Sequence, residues 1–179
     1  TYIYHNTFYQ ASGSACNNRS SIVQSAGGGA DSKNVFYRNN ILHGYNSTIS
    51  IGDPTTQNFD YNIHWDEDNS GQLIQYGDNS KRYNRLSDFT AATGLETHGI
   101  EGRPKYQDEV GKDFKLASGS LGIDSGTVLS GFNDADSAWP YSGSAPDIGA
   151  NEVGGGSGPT QTPTPITIGY AISESPEEL

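Results

Sequence analysis

The sequence predicts an all-β fold, a parallel β-helix of few coils closed by a C-terminal cap that contains one short helix. Two observations carry this prediction. An asparagine flanked by bulky residues recurs in three segments, which read YHNTFY at 4–9, RNNILH at 38–43 and DYNIHW at 60–65. The composition is that of a turn-dense solenoid, since Gly numbers 23 and Tyr 11, whereas Leu, Ile, Val and Phe together number 32 of 179 residues. Aromatic side chains bury large areas each, so a core can form with few aliphatic ones.

The spacing of the three asparagines indicates the length of a coil. Asn40 and Asn62 are 22 residues apart, which fits one bare coil, whereas Asn6 and Asn40 are 34 apart. The longer interval is predicted to carry a loop insertion at residues 10–34, rich in Ser, Gly, Ala and Asn and exposed to solvent. Repeats of this length are typical of solenoids, in which each coil buries its apolar face only by stacking on its neighbours.

Asn6, Asn40 and Asn62 are predicted to form a structural ladder of stacked amides. A sharp bend between two strands needs a residue that tolerates the left-handed region and hydrogen bonds locally, and asparagine does both. The alternative interpretation is that these asparagine-rich segments are simply turns. The hydrophobic flanks of all three favour the ladder, and residues 1–71 are therefore assigned to the coils.

The charge and composition disfavour several classes of function. A net charge of −11 and an isoelectric point near 4.5 argue against nucleic acid and anionic membranes as partners, since phosphate binding needs clustered Lys and Arg. No apolar run is long enough for a membrane span. Cys16 is the only cysteine and cannot form an intrachain disulfide. Because the chain starts with Thr1 inside an apparent strand and contains no Met, we expect a processed or truncated piece.

Residues 72–153 are predicted to form the last coil and a C-terminal cap. A short helix is expected over residues 88–93, with Ser87 as its N-cap and Gly94 as the glycine that ends it. Phe89 would dock this helix onto the coils. Two edge strands are expected beyond the helix, at residues 103–106 and 113–116.

Short motifs in this cap resemble the end of one protein family. They read SDFTAATG at 87–94, DFKL at 113–116, SGSLGIDSG at 118–126 and DIGANE at 147–152. Together they resemble the C-terminal end of secreted right-handed parallel β-helix proteins of the pectate-lyase-like superfamily, which commonly show Pro-Ala-Ile-Asp-Ala-Gly and Asp-Ile-Gly-Ala-Tyr-Glu. The resemblance extends over residues 1–153 and departs from the pattern at Leu121, Gly122 and Asn151. It implies a right-handed helix and an extracellular location, either secreted or at the cell surface.

The resemblance does not transfer catalytic residues to this chain. Lyases of this superfamily remove the C5 proton of a uronate, which requires Ca²⁺ or Arg to neutralise the carboxylate and a Lys, Arg or His as base. Those groups generally lie on middle coils, most of which would precede Thr1. No catalytic or cofactor-binding residue is assigned, and whether this chain is an enzyme stays open. His98 could form an acid–base pair with Glu96, but its place in the cap favours a structural histidine.

One loop carries the pattern of a metal site. Asp66, Asp68 and Ser70 place oxygen ligands at positions 1, 3 and 5 with Gly71 at position 6, the front half of a Ca²⁺-binding loop. Position 12 is Gly77, where a bidentate Glu belongs. A polar hairpin explains the same residues, so a bound calcium ion is one of two interpretations.

The composition changes abruptly after residue 153. Residues 154–165 (GGGSGPTQTPTP) are predicted to be a linker, and residues 166–179 a β-strand tail. Apolar residues alternate along this tail at Ile166, Ile168, Tyr170 and Ile172. A lone strand cannot satisfy its backbone, so we expect it to add to an open sheet edge of this chain or a neighbouring copy, with residues 2–9 as the acceptor. The alternative is a strand of a truncated downstream domain.

These observations favour a secreted or cell-surface module with a structural or assembly role, associated with polysaccharide. Strand exchange through the tail would build a multimer or filament. The alternative is the C-terminal fragment of a polysaccharide lyase or glycosidase whose catalytic coils lie upstream. A third interpretation, a carbohydrate-binding module, rests on aromatic residues such as Trp65 and Trp139, which packing also explains.

Overall fold

The computed structural model describes residues 1–10, 20–24, 34–51, 57–69, 71–77, 81–134 and 136–154. Within these ranges the chain consists mostly of short β-strands with one short helix, as the sequence predicts. The predicted assembly strand, with Ile166, Ile168, Tyr170 and Ile172, lies outside the described residues. So does the predicted linker after Gly154.

Three consecutive sets of three strands build the main sheets. The first set is β1 (Tyr2–Tyr4), β2 (Thr7–Tyr9) and β3 (Ile22–Gln24), the second is β4 (Val35–Arg38), β5 (Ile41–Gly44) and β6 (Ile49–Ile51), and the third is β7 (Gln57–Asp60), β8 (Ile63–Asp66) and β9 (Ile74–Tyr76). Each strand pairs in parallel with the strand at the same place in the next set. The result is three parallel sheets that advance together along the chain.

The predicted loop insertion at residues 10–34 needs correction, because it contains a strand of one of these sheets. β3 lies within it and pairs in parallel with β6, and Ile22 is buried in the core. The polar composition of the interval hid this strand, whose signal in the sequence is only the dipeptide Ile22-Val23. The sequence analysis therefore does not predict β3, the first strand of the sheet that also contains β6 and β9.

The C-terminal elements cover the end of the sheets that is formed by the third set of strands. They are β10 (Arg82–Tyr83), α1 (Leu86–Thr93), β11 (Ile100–Glu101), β12 (Tyr106–Asp108) and β13 (Asp113–Leu116). β10 adds to β9 in antiparallel orientation, and β11 adds to β8 in parallel orientation. β12 and β13 form an antiparallel pair of their own, so the first of the two predicted edge strands begins at Tyr106 and not at Arg103.

The helix is present but begins earlier than predicted. Its N-cap is Arg85, which makes no side-chain capping hydrogen bond, and Ser87 lies inside the helix. The carboxylate of Glu101 replaces the cap, since its Oε2 accepts the backbone N–H of Leu86 at 2.8 Å. The predicted end is confirmed, because Gly94 has a φ of 72° and donates its N–H to the carbonyl of Thr90 at 2.8 Å.

Two apolar clusters lie on opposite faces of the sheet that contains β5. The larger cluster draws side chains from all three sheets and from α1, including Leu42, Phe59 and Phe89. The smaller one consists of Ile41, Ile63, Leu116 and Ile148. Successive residues of a strand point to opposite faces, so β5 contributes to both clusters. The segment after β13 therefore covers the outer face of this sheet.

A glycine lets the chain approach that outer face closely. Gly149 has a φ of 117°, and a Cβ atom there would lie 2.8 Å from Cδ1 of Ile41. Its backbone N–H donates to the carbonyl of Asn39 at 2.8 Å, and Ile148 beside it is fully buried. The close approach explains the glycine of the DIGANE motif. No helix in the described ranges has the length and hydropathy needed to cross a membrane.

Candidate functional site

The three predicted ladder residues lie together at the bend that follows the first strand of each set. Asn6 donates its backbone N–H and its Nδ2–H to Oδ1 of Asn40, at 3.0 and 3.1 Å. Asn40 donates the same two groups to Oδ1 of Asn62, at 3.0 and 2.9 Å. The amide oxygens of Asn40 and Asn62 thus each accept two hydrogen bonds from the preceding set, which gives this asparagine ladder a direction.

The physical reason for the asparagines differs from the expected one. The left-handed conformation at each bend belongs to the preceding residue, namely His5, Asn39 and Tyr61, with φ values of 51°, 55° and 57°. The ladder residues themselves have no positive φ. Their amides instead close the bend, since Nδ2 of Asn6 also donates to the carbonyl of Tyr4 at 2.8 Å. The ladder thus depends on side-chain hydrogen bonding and not on backbone tolerance.

A carboxylate ends the ladder at the capped end. Asn62 donates its N–H and its Nδ2–H to the two oxygens of Glu96, at 3.3 and 2.8 Å. Nε2 of His64 contacts Oε1 of the same carboxylate at 2.8 Å, and Nδ1 contacts the hydroxyl of Thr48 at 2.8 Å. The side chains of His64 and Glu96 are both fully buried. The sequence analysis considered Glu96 only as a partner of His98 and missed its place at the end of the ladder, although Glu96 lies 34 residues after Asn62, the interval that separates Asn6 from Asn40.

The possible acid–base pair of His98 with Glu96 is not formed, and the partner of His98 is Asp60. Nδ1 of His98 contacts Oδ2 of Asp60 at 2.9 Å, its N–H donates to Oδ1 at 2.8 Å, and its ring stacks on Tyr61. Burial alone would raise the pKa of Asp60, but the hydrogen bonds from His98 outweigh it and lower that pKa. The histidine partner of Glu96 is His64, which the sequence places far from it.

The opposite end of the sheets is open. No strand among the described residues pairs with the outer edges of β1, β2 and β3. A groove of about 900 Å³ lies over the first set. It is lined mainly by apolar and aromatic side chains, which come from Tyr2, Ile3, Tyr4, Asn6, Phe8 and residues 129–132. Tyr2 is 69% exposed, so this end keeps a large aromatic side chain in water.

The amide oxygen at this end has no donor. Within the described part of the chain, nothing donates a hydrogen bond to Oδ1 of Asn6, whereas Oδ1 of Asn40 and of Asn62 each accept two. Asn6 is half-buried, so the ladder stops here with an unused acceptor. The two ends of the ladder are therefore chemically different.

A smaller groove of about 340 Å³ adjoins the open end. Trp139, which is 51% exposed, stacks on Phe132 at 5.5 Å, and the ring of His5 also stacks on Phe132, at 5.8 Å. Glu152 also lines the groove, and burial raises its pKa to about 7. A concave site with aromatic walls and a carboxyl group of perturbed pKa has the features of a small-ligand site.

His5 ties the first bend to the C-terminal segment. Its Nε2 contacts the Nδ2 atoms of Asn39 and Asn133 at 2.9 and 2.8 Å. The oxygens of these two amides accept backbone N–H groups of Thr127 and Leu129, so both Nδ2 atoms must donate to the ring. Burial lowers the pKa of His5, although contacts with nearby backbone oppose it. The imidazole is therefore held in its neutral form.

A polar cluster forms at the end of β8, in the loop predicted to bind calcium. The carboxylate of Glu67 accepts hydrogen bonds from Trp65 and Arg103 and pairs with His43, while Arg103 also contacts Glu109. Burial alone would raise the pKa of Glu67, but these donors outweigh it and lower that pKa. Both carboxylates are engaged by protein groups, so the cluster ties β8 to the loop before β12.

The predicted calcium ligands are only partly described. Asp66 is buried at the end of β8, Asp68 is exposed in the turn that follows, and Ser70 lies outside the described residues. Among all the described residues, Asp66 and Asp68 included, no group of three or more His, Cys, Asp or Glu side chains could hold a metal ion. A calcium ion at this loop therefore stays a prediction.

Comparison with known proteins leaves the family open. No family model matches the chain, and neither the curated proteins nor the solved structures include a significant match. Any assignment thus depends on the motifs of the sequence and on the geometry of the sheets and of the ladder.

Proposed function

We propose that the chain is a right-handed parallel β-helix of the pectate-lyase-like superfamily that acts outside the cell as a structural or assembly module. The parallel pairing of three strand sets supports the β-helix, since each set returns the chain to the sheet from which it started. Crossovers between parallel strands of one sheet are almost always right-handed, which supports the handedness. The buried Ile148 and the positive-φ Gly149 of the DIGANE motif, which packs closely on Ile41, support the family.

The observation that carries the assembly role is the open end. Free strand edges pair readily with other chains, and proteins usually cover or charge them. Here the edges of β1 and β2 lie beside a large groove with Ile3 and Phe8 in its lining. Addition of a strand to this end would pair the edge and bury the groove in one step.

The predicted tail is the occupant that this chain itself supplies. The described chain approaches the open end shortly before the linker, because the N–H of Ala150 donates to Oγ1 of Thr7 at 3.2 Å. Residues 154–165 can span about 40 Å when extended, which is enough to bring residues 166–172 to the edge of β1. Pairing within one chain would close the end, and pairing between chains would build a multimer or filament.

Polysaccharide is the second partner that we propose, and the groove beside the open end supports it. An exposed Trp139 backed by Phe132 offers a flat apolar surface to a sugar ring, and Glu152 offers a carboxyl group that is partly protonated at neutral pH. This groove is also consistent with the alternative function, in which the chain is the C-terminal fragment of a lyase or glycosidase. Incubation with pectate, alginate or chondroitin should yield no unsaturated product absorbing at 235 nm, and formation of that product would favour the fragment of a lyase.

Removal of the tail tests the assembly role. Sedimentation velocity over a range of concentrations would compare the full chain, a chain ending at Gly154, and a full-length Ile168→Asp variant that keeps the linker. Exchange between chains predicts a multimer that both variants lose. Pairing within one chain predicts a monomer whose variants have a lower melting temperature and aggregate more. Identical sedimentation and identical melting of all three proteins would overturn the proposal.

A further inference from the structure

We infer that the polysaccharide partner is an uncharged glycan, which lies along a row of aromatic rings on the side of the molecule. The row joins the outward face of the sheet formed by β1, β4 and β7 to the smaller groove. The inference rests on the proposed polysaccharide partner and adds its chemical class. It is carried by the contacts between the rings, by the face on which they lie, and by the charges beside them.

Five aromatic side chains contact one another in sequence along this side of the molecule. The ring of Tyr2 lies 5.4 Å from that of Phe36 and 5.4 Å from that of Tyr4, measured between centroids. The ring of Tyr4 contacts Phe132 at 5.8 Å, and Phe132 contacts Trp139 at 5.5 Å. These rings form the aromatic row, which begins at Phe36 and ends at Trp139. Its length allows contact with several consecutive sugar residues of one chain.

The row belongs to the outward face of its sheet and not to a strand edge. Successive residues of a strand point to opposite faces. Ile3 and Tyr37 pack in the larger core cluster. Their neighbours Tyr2, Tyr4 and Phe36 therefore point away from the core. A side chain keeps its face whichever strand pairs with either edge of the sheet, so the position of the row is independent of the free edges.

The rings combine apolar area with polar tips. Tyr2 is 69% exposed and Trp139 is 51% exposed, whereas Tyr4, Phe36 and Phe132 are half-buried. Within the described ranges, no protein group hydrogen bonds to the hydroxyl of Tyr2 or of Tyr4. A pyranose ring has C–H groups on its faces and hydroxyls at its edge, which an apolar ring body and a phenol hydroxyl complement. The row therefore fits a glycan chain.

The charges along the row favour a glycan without carboxylates. Arg38 is the only Lys or Arg in β1, β4 and β7, and its guanidinium already donates to the carbonyls of Tyr37 and Asn58, at 2.8 and 3.1 Å. The described lining of the smaller groove contains no Lys or Arg and includes Glu152. The chain carries a net charge of −11. A uronate on the row would bring negative charge to an acidic protein without gaining a cationic partner.

Two hexasaccharides of equal length separate the classes of glycan. Isothermal titration calorimetry would compare binding of cellohexaose, which is uncharged, and of hexagalacturonate, which carries a carboxylate on every sugar, to the full chain. We expect cellohexaose to bind at least about tenfold more tightly, because like charges oppose the acidic ligand. Uronates are the substrates of lyases in the superfamily that the sequence resembles, so the pair also tests whether this surface follows that chemistry.

Variants at the two ends of the row locate the binding. Phe36→Ala and Trp139→Ala should each weaken the binding of cellohexaose about tenfold, whereas Trp139→Phe keeps a ring and should retain most of it. Tyr45→Ala is the matched control, because Tyr45 lies in the bend between β5 and β6 and is not part of the row. Circular dichroism would check that all four variants fold.

The outcomes separate this inference from the proposed function. Equal or tighter binding of hexagalacturonate overturns the uncharged class and leaves the polysaccharide partner in place. Binding of cellohexaose that neither alanine variant weakens puts the site elsewhere and overturns the aromatic row. If neither hexasaccharide binds, the inference and the polysaccharide partner both fail. The assembly role is measured by sedimentation and is independent of all three results.

Discussion

The asparagine ladder ends differently at the two ends of the sheets. At the capped end the asparagine ladder runs into Glu96, an acceptor-only side chain that accepts the backbone N–H and an Nδ2–H of Asn62 and also contacts His64. At the open end it stops at Asn6, whose oxygen has no donor among the described residues. An amide is both donor and acceptor, so a row of amides cannot end itself, and a carboxylate can.

The apolar surroundings follow the same division. Phe89 is fully buried at the capped end, with its ring against Tyr76 at 5.2 Å and Tyr83 at 5.4 Å. At the open end Phe8 is only partly buried and Tyr2 is 69% exposed. The helix completes the core at one end, whereas the other end keeps apolar surface available. The capped end should therefore carry most of the stability, and the open end should tolerate change.

Removal of the terminal carboxylate should have the largest effect. Glu96→Ala leaves two donors of Asn62 and the imidazole of His64 buried without an acceptor, and we expect a loss of about 3–5 kcal/mol in the free energy of unfolding. Glu96→Gln keeps one acceptor and should lose less. Urea unfolding measures both, with the exposed Asp88→Asn as the matched control. A loss below about 1 kcal/mol for Glu96→Ala would contradict the terminal role.

Truncation of one phenylalanine at each end compares the two directly. Phe89→Ala removes a fully buried ring and should cost about 3–5 kcal/mol in the free energy of unfolding. Phe8→Ala removes a ring that is already partly in water, so it should cost about 1–2 kcal/mol. Both values come from the same urea experiment. Equal losses would mean that the open end is covered in solution.

Substitution of a ladder asparagine should also cost more stability near the capped end than at the open end, with a smaller difference than for the phenylalanines. Asn62→Ala removes the oxygen that accepts the backbone N–H and the Nδ2–H of Asn40 in the interior. We expect a loss of about 2–3 kcal/mol in the free energy of unfolding. Asn6→Ala lies where water can replace the amide and should lose about 1 kcal/mol. Thermal and urea unfolding of the two variants test the order. A larger loss for Asn6 would place a partner on the open end in the isolated protein.

The smallest expected effect is a pH dependence that arises from His5. Because the folded state lowers the pKa of His5, its stabilising contribution is complete above the unfolded value of about 6.5 and is lost as the pH falls below it. Glu152 acts in the opposite direction, since its raised pKa of about 7 removes stability as the pH rises from about 4.5 to 7. The contribution of His5 therefore has to be measured against a variant.

His5→Asn provides that reference, because asparagine tolerates the φ of 51° at this position. The difference in melting temperature, unmodified chain minus variant, should be about 2–4 °C smaller at pH 5 than at pH 7. Differential scanning calorimetry at the two pH values gives this difference. Parallel pH profiles for both proteins would show that His5 is not held neutral by Asn39 and Asn133.

Much of the architecture could be predicted because it repeats. Aromatic-flanked asparagines at two intervals indicated stacked strand sets, and Gly94 indicated the end of the helix. β3 could not be predicted, since three residues in a polar interval carry too little periodicity to separate a strand from a loop. The helix start was misplaced because its first N–H is capped from a distance by Glu101, which leaves no local signal.

By itself the sequence determined the all-β class, the repeating asparagines and the short helix, because each follows from residues close together in the chain. Only the tertiary structure decided which groups end the ladder. Glu96 meets Asn62 and His64 across more than thirty residues, and the unused oxygen of Asn6 is recognised only when its neighbours in space are known. Hydrogen bonds between strand sets depend on register, and register is a property of the folded chain.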